Sequence, residues 1–360
     1  MKKIKVLAIY RGDILANRGT PIRVRSLLSR VEDDERIDLT VASWSEDEGC
    51  FDNHMRLTNN HLDDLKQLLS YVRKNKVDVT IGHTISASYY LLPIKFFTGS
   101  RIFLEMHGFI EEEAREYNSI SWFAYIRMKV WNAIFFFFLD FAVTCSKSIT
   151  DIIKKYNRKV VSLCGGVDIS LFNPDAKSSG LLKRDDKIVI GYIGDAMKWQ
   201  GLPFLVNSYK KLLEKDKDFR LAILTSERNK IEESEGIELF DAVPHAEVPG
   251  FMIDCDILVI PRPLTRVTKI SYPSKLTEYL AMGKAIVVSR MGDADQAIEH
   301  GVNGMLYIPE SESEFLETLL RLKDKKTRVS LGENAYNTAK NMSWERLSKR
   351  FADYIVESVK

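Results

Sequence analysis

The sequence predicts two α/β domains, each built on a parallel β-sheet. Short apolar runs alternate with helical patterns along the whole chain, which is the signature of buried parallel strands joined by crossover helices. The 360 residues are too many for one ordinary domain and comfortable for two. The alternation is interrupted once, by Gly165-Gly166-Val167-Asp168, then Asn173-Pro174, then a polar run over 177–187. That composition reads as a domain linker. We therefore expect domains at 1–170 and 171–342, with 343–360 crossing back to the first.

The first series of strands is expected at 4–10, 37–43, 77–82, 101–106, 141–144 and 160–163. Each is rich in Val, Ile, Leu and Phe without strict alternation, as strands covered on both faces are. Helical spacing of apolar residues falls at 21–31, 61–75 and 149–156. The second series has strands at 188–193, 219–224, 257–260 and 285–288, with a short last one at 305–308. Its helices fall at 202–215, 312–322 and 324–340. The terminal segment 343–359 is amphipathic, with Trp344, Leu347, Phe351 and Ile355 on one face. Two such domains suggest a ligand cleft between them, lined by loops at the carboxyl ends of the strands.

Composition removes several function classes. The 52 basic and 50 acidic residues give a formal charge of +2, so the basic excess of a nucleic-acid binder is missing. The four cysteines, Cys50, Cys145, Cys164 and Cys255, are scattered and show neither zinc spacing nor a disulfide framework. Reduced thiols in a cytoplasmic protein are expected. The basic-then-apolar start is followed at once by Arg11 and Asp13, unlike a secretory signal. The apolar run 133–139 ends at Asp140 and is far short of the roughly 18–20 residues of a membrane span. Residues 118–139 hold Trp122, Phe123, Tyr125, Trp131 and Phe135 to Phe138. Core packing is the expectation for this stripe. The alternative is a surface for a membrane or a lipid-linked acceptor, aided by Arg127 and Lys129.

The densest motif runs from Ser271 to Ser289 and reads loop, short helix, Gly stop, strand. Pro273 suits a first helical turn, and Ser274 and Lys275 follow it. Gly283 ends the helix before the apolar run 285–288. Lys275 and Glu278 are three apart and share one face near the helix start. A helix N-terminus beside a Lys attracts phosphate, and a carboxylate one turn on accepts hydrogen bonds from hydroxyls. Spacing alone favours a surface Lys–Glu pair, since such pairs are common on exposed helix faces.

Residue identities add to spacing here. Pro273, Lys275, Glu278, Tyr279, Ala281, Gly283 and Lys284 resemble the Pro-x-Lys-x-x-Glu-Tyr-x-Ala-x-Gly-Lys stretch of the retaining glycosyltransferases of family 4 (glycosyl transferases group 1). The resemblance runs in order along nearly the whole chain and is strongest over 248–305. It implies the GT-B fold, two Rossmann-like parallel α/β domains facing a central cleft. It implies transfer of a sugar from a nucleotide diphosphate sugar to a sugar or lipid-linked acceptor with retention. The setting would be cell-surface polysaccharide or glycolipid synthesis, without an essential metal or separate cofactor.

The remaining candidates follow from that resemblance. Gly19 and Thr20, in the turn after the first strand, would approach the donor diphosphate. His107, at the end of strand 101–106, would lie near the transferred sugar as a catalytic or positioning group. The adjacent Glu111 to Glu113 read as a solvated helix start. Gly191 to Leu202 resembles the family's Gly-loop, with two departures: a frequent Arg falls on Asp195 and a Lys on Gln200. Lys198 would then neutralise the diphosphate, beside Gln200. Glu247 and Val248 fall where the family reads the base, and Glu278 where it binds the ribose. The first of the family's two glutamates falls on Ile270, so sugar recognition must differ. Arg262, after strand 257–260, is a phosphate or acceptor contact or a surface residue. A nucleotide-sugar epimerase and a non-catalytic binding subunit remain the rival functions.

Overall fold

The structure, a computed structural model, describes residues 2–16, 19–46, 49–182 and 186–359. The chain opens with β1 (Ile4–Tyr10), α1 (Gly19–Glu32), β2 (Ile37–Ser43), β3 (His54–Arg56), α2 (His61–Asn75) and β4 (Val79–His83). It continues through α3 (Ser88–Thr98), β5 (Arg101–Met106), α4 (Ile110–Glu116), α5 (Trp122–Phe138), β6 (Phe141–Thr144), α6 (Lys147–Ile153) and β7 (Val160–Ser162). A second run holds β8 (Ile188–Ile193), α7 (Leu202–Lys215), β9 (Phe219–Thr225), β10 (Ile237–Asp241), α8 (Val248–Ile253) and β11 (Ile257–Ile260). Then come α9 (Ser274–Ala281), β12 (Ala285–Ser289), α10 (Ala294–Ala297), β13 (Met305–Tyr307), α11 (Glu312–Arg321), α12 (Lys325–Ala339) and the last helix, α13 (Trp344–Val359).

The chain forms two compact units, Met1–Cys164 with Trp344–Lys360, and Gly165–Ser343. Unit 1 carries a sheet in the order β3-β2-β1-β4-β5-β6-β7, and unit 2 one in the order β10-β9-β8-β11-β12-β13. Their strand pairs are parallel. Chain order reverses between β1 and β4 in unit 1, and between β8 and β11 in unit 2. Ligands of such sheets bind at the carboxyl ends of the strands flanking that switch.

Local chemistry explains the elements. All residues of β4, β9 and β12 are buried, as continuous apolar strands between helix layers should be. Asn60 caps α2 by accepting from the Leu62 N–H at 3.1 Å, Asp63 and Asp64 sit in its first turn, and Lys76 ends it in the left-handed region. Ser121 and Ser146 cap α5 and α6 in the same way. The apolar face of α13 joins the core of unit 1, where Trp344, Leu347, Phe351 and Ile355 pack with Val24 and Leu27 of α1. Full burial of one such aromatic contributes about 1.5–3 kcal/mol.

Several expectations change. The edge strands β3 and β10 are half-exposed, so neither carries the apolar run that marks a buried strand. Helix α3 contains Pro93, which argues against a helix interior, yet Tyr90, Leu91, Leu92 and Ile94 are buried and that packing outweighs the lost hydrogen bond. Glu111 is not solvated: it is fully buried and accepts from Asn132 Nδ2 at 2.7 Å. The aromatic stripe is not mainly core, because only Asn132, Phe135 and Phe136 of α5 are buried.

Candidate functional site

Two glycines shape the site in unit 2. Gly194 directly follows strand β8, and an added Cβ there would stand 2.0 Å from Lys275 Nζ. The absence of a side chain there is what admits the ammonium. Gly201 has φ +78°, and its Cβ would stand 1.7 Å from the Pro261 carbonyl oxygen. The loop after β8 thus lies directly against the end of β11, on the switch-point side of the sheet.

That contact sets the side chains. Arg262, first after Pro261, is buried and donates from Nε to Gln200 Oε1 at 3.1 Å. Its guanidinium lies 4.6 Å from the Trp199 ring centroid, a cation–π contact. Burial pulls its pKa down to about 10. Lys275 occupies the second residue of α9, with its Nζ 5.9 Å from the Tyr192 ring centroid. Burial of the ammonium, then the charge of Arg262, lowers its pKa to about 8. Among the described residues neither cation has an ion-pair partner. Arg262 is buried and Lys275 half-buried; two neighbouring cations so placed without an ion-paired carboxylate are costly, and an anion bound between them removes that cost.

One turn beyond Lys275, Glu278 Oε1 lies 3.0 Å from His245 Nε2. His245 opens the short helical turn His245–Glu247, and its ring lies 5.2 Å from that of Phe172. Glu247 is exposed and Val248 buried, directly beside this pair in sequence. Lys198 is exposed, its carbonyl accepts from the Gly201 N–H at 3.2 Å, and its ammonium has no hydrogen bond or ion pair among the described residues. Ser274 is exposed at the start of α9. The loop carrying Ile270 is held by Thr268, whose hydroxyl donates to the Pro263 carbonyl at 2.6 Å and accepts from the Thr265 N–H at 2.7 Å.

In unit 1, His107 follows β5 and its Nε2 bonds Glu105 Oε2. Glu105 is fully buried. Arg23 Nε donates to its Oε1 at 2.8 Å, and Arg23 Nη2 to the Leu163 carbonyl at 2.7 Å. Burial pushes the Glu105 carboxyl up, but His107 and Arg23 more than reverse this and hold it well below the usual range. His83 Nδ1 lies 3.2 Å from the same carboxylate, and burial lowers its pKa, keeping the ring neutral. His83, Glu105 and His107 bring three ligand-type atoms within 4.8 Å of one another. The guanidinium of Arg23 on that carboxylate opposes a further cation there. Gly19 and Thr20 start α1.

The structure therefore joins Gln200, Arg262 and Lys275 in one cluster, with Glu278 one turn away. Gly19, Thr20 and His107 belong to unit 1. Reading each residue that follows a predicted strand would have found more. Arg11 follows β1, donates to the Ser86 carbonyl at 3.3 Å and lies over Tyr90 and Trp44, and His83 ends β4.

Residues 187–325 match the family model described as glycosyl transferases group 1. Over that segment the chain is similar to the glycosyl transferases group 1. A D-inositol 3-phosphate glycosyltransferase of Corynebacterium efficiens is 23% identical over 242 residues, 60% of this chain and 56% of that relative. The chain thus spans little more than half of that protein. An uncharacterized glycosyltransferase of Methanocaldococcus jannaschii is 23% identical over 350 residues, 91% of each chain. The crystal structure of a glycosyltransferase from Rickettsia africae superposes with a TM-score of 0.79 at 15% identity over 100% of both chains. The Anabaena protein HepE, solved in complex with UDP, gives 0.76 at 15% identity over 98% of this chain and 100% of that one. These likenesses show the GT-B glycosyltransferase fold, with two parallel-sheet α/β domains. Asp195 and Gln200 stand where family resemblance leads one to expect cations, and Arg262 brings its guanidinium onto Gln200 from the loop after the neighbouring strand β11.

Proposed function

We propose that this glycosyltransferase moves a sugar, with retention, from a nucleoside diphosphate sugar to a hydroxyl acceptor. The observation that carries the reading is the pair of neighbouring cations, Arg262 buried and Lys275 half-buried, without an ion-paired carboxylate among the described residues. When the bond from the anomeric carbon to the diphosphate breaks, the electron pair leaves with the diphosphate. Charge then develops beside cations that are already oriented, and they stabilise it where it forms. Two such charges do the work of a divalent metal, so turnover should not need one. The start of α9 adds its backbone N–H groups. Glu278, oriented by His245, accepts from the ribose hydroxyls of the donor. Ala246 to Val248 then lie where a base is read. By the family resemblance His107, held by Glu105 within unit 1, is a catalytic or positioning group. The structurally similar Anabaena protein HepE, solved with UDP and with UDP-glucose, supports a nucleotide donor. The acceptor is a sugar or a lipid-linked glycan of a cell-surface polymer.

Donor turnover with and without added acceptor tests this. Release of the nucleoside diphosphate that depends on acceptor and persists in EDTA is the expected result. Acceptor-independent release with an altered sugar would instead make the protein an epimerase. Binding without turnover would make it a non-catalytic subunit.

A further inference from the structure

We infer that unit 1 docks on a lipid bilayer bearing anionic headgroups, through the outer faces of α3 and α5. Along α5, past the exposed Trp122 that starts it, the exposed apolar residues are Phe123, Ile126, Val130, Ile134 and Phe137. Their spacing of three and four residues sets them in one stripe along a 17-residue helix, about 25 Å long. Phe123 is 78% exposed and Phe137 71%. Helix α3 adjoins the stripe: Tyr89 stacks on Trp131 with ring centroids 5.1 Å apart, and Phe96 meets Phe138 edge-on at 5.3 Å. Phe96 and Phe97, each more than 60% exposed, extend the surface. A contiguous patch of large apolar side chains is unusual on a surface that meets only water.

The charges select the partner. Neither α3 nor α5 contains an Asp or Glu. Lys129 and Lys95 answer Glu112 and Asp140 in ion pairs. Arg127, on the stripe itself, is exposed and has no carboxylate partner among the described residues. At the patch edge Arg73 donates to the Phe97 carbonyl at 3.3 Å, and Lys74 and Lys76 follow it, all exposed without ion pairs among the described residues. Aromatic rings flanked by unpaired basic groups match the boundary of acyl chains and anionic headgroups. No helix among the described residues is long and apolar enough to cross a membrane, so the contact is with the surface. The inference stands apart from the transfer reading, because bilayer docking needs no donor.

The test is flotation with vesicles of phosphatidylcholine, and of phosphatidylcholine mixed with phosphatidylglycerol. The wild type should float with the mixed vesicles, less with phosphatidylcholine alone, and less in high salt. Phe123→Ser with Phe137→Ser should cut partitioning at least about tenfold, since each loses a buried aromatic contact with lipid. Arg127→Glu should weaken binding to the mixed vesicles alone. Both sites are exposed, so melting temperatures should not fall. No flotation with either vesicle overturns the inference, as does flotation unchanged in the double variant. A wild-type dimer that the double variant converts to monomer, without flotation, would assign the face to a second copy and also overturn it.

Discussion

Arg262 Nε donates to Gln200 Oε1 at 3.1 Å, so a cation from the loop after β11 rests on a neutral residue of the loop after β8. Gln200 brings a carbonyl oxygen that orients the guanidinium and no charge of its own. The cation that the β8 loop lacks is thus carried by its neighbour.

Replacing these cations should uncouple stability from binding. Arg262→Met and Lys275→Met remove a buried and a half-buried charge that have no ion-paired carboxylate among the described residues, so the ligand-free melting temperature should hold or rise. Affinity for a nucleoside diphosphate should fall at least about tenfold in each, about 1.4 kcal/mol. Thermal melts with and without nucleotide check both halves.

Diphosphate affinity should depend on the proton of Lys275. Its pKa lies at about 8, below the usual 10.5, with Arg262, Asp195 and Glu278 as its charged neighbours. Binding should weaken as pH rises through about 8, and Lys275→Met should remove that slope. The sign for folding is opposite. Between about 8 and 10.5 the unfolded chain holds this proton and the folded chain does not, so ligand-free stability should rise with pH there. Calorimetric titration and melts at stepped pH follow the two trends.

Glu105→Gln should be strongly destabilising. It leaves the Arg23 guanidinium buried against a neutral partner and frees His107. A loss of about 3–5 kcal/mol is expected in urea unfolding. Arg23→Met on the Glu105→Gln background should recover part of it.

Gly201→Ala and Gly301→Ala should differ sharply. Both glycines have φ near +78°, but a Cβ at 201 meets the Pro261 carbonyl at 1.7 Å and one at 301 meets nothing within 4 Å. The second change should cost about 1 kcal/mol of backbone strain. The first should cost more and should also displace Arg262, weakening nucleotide binding. Paired unfolding curves and nucleotide titrations separate the two.

Much of this was legible in the sequence, and the gaps have physical causes. Buried strands such as β8 and β11 announce themselves because both faces need apolar residues. The edge strands β3 and β10 do not, since one side meets solvent. The motif from Pro273 to Gly283 located α9, Lys275 and Glu278 because capping and spacing are local. Arg262 was ambiguous, because the burial that makes it informative comes from Gly201 and Trp199, some sixty residues earlier. The pairing of His245 with Glu278 is likewise a long-range contact without a local signal. The α5 stripe misled in the other direction: apolar periodicity gives a face and does not say what covers it.

The most direct measurement of the central claim is calorimetric titration of a panel of nucleoside diphosphates into the wild type and the Arg262→Met, Lys275→Met double variant. At least one should bind the wild type, with affinity lower by about a hundredfold or more in a double variant that melts no earlier. Equal affinity in the two proteins would contradict the account, because the unpaired cations would then not be the diphosphate site.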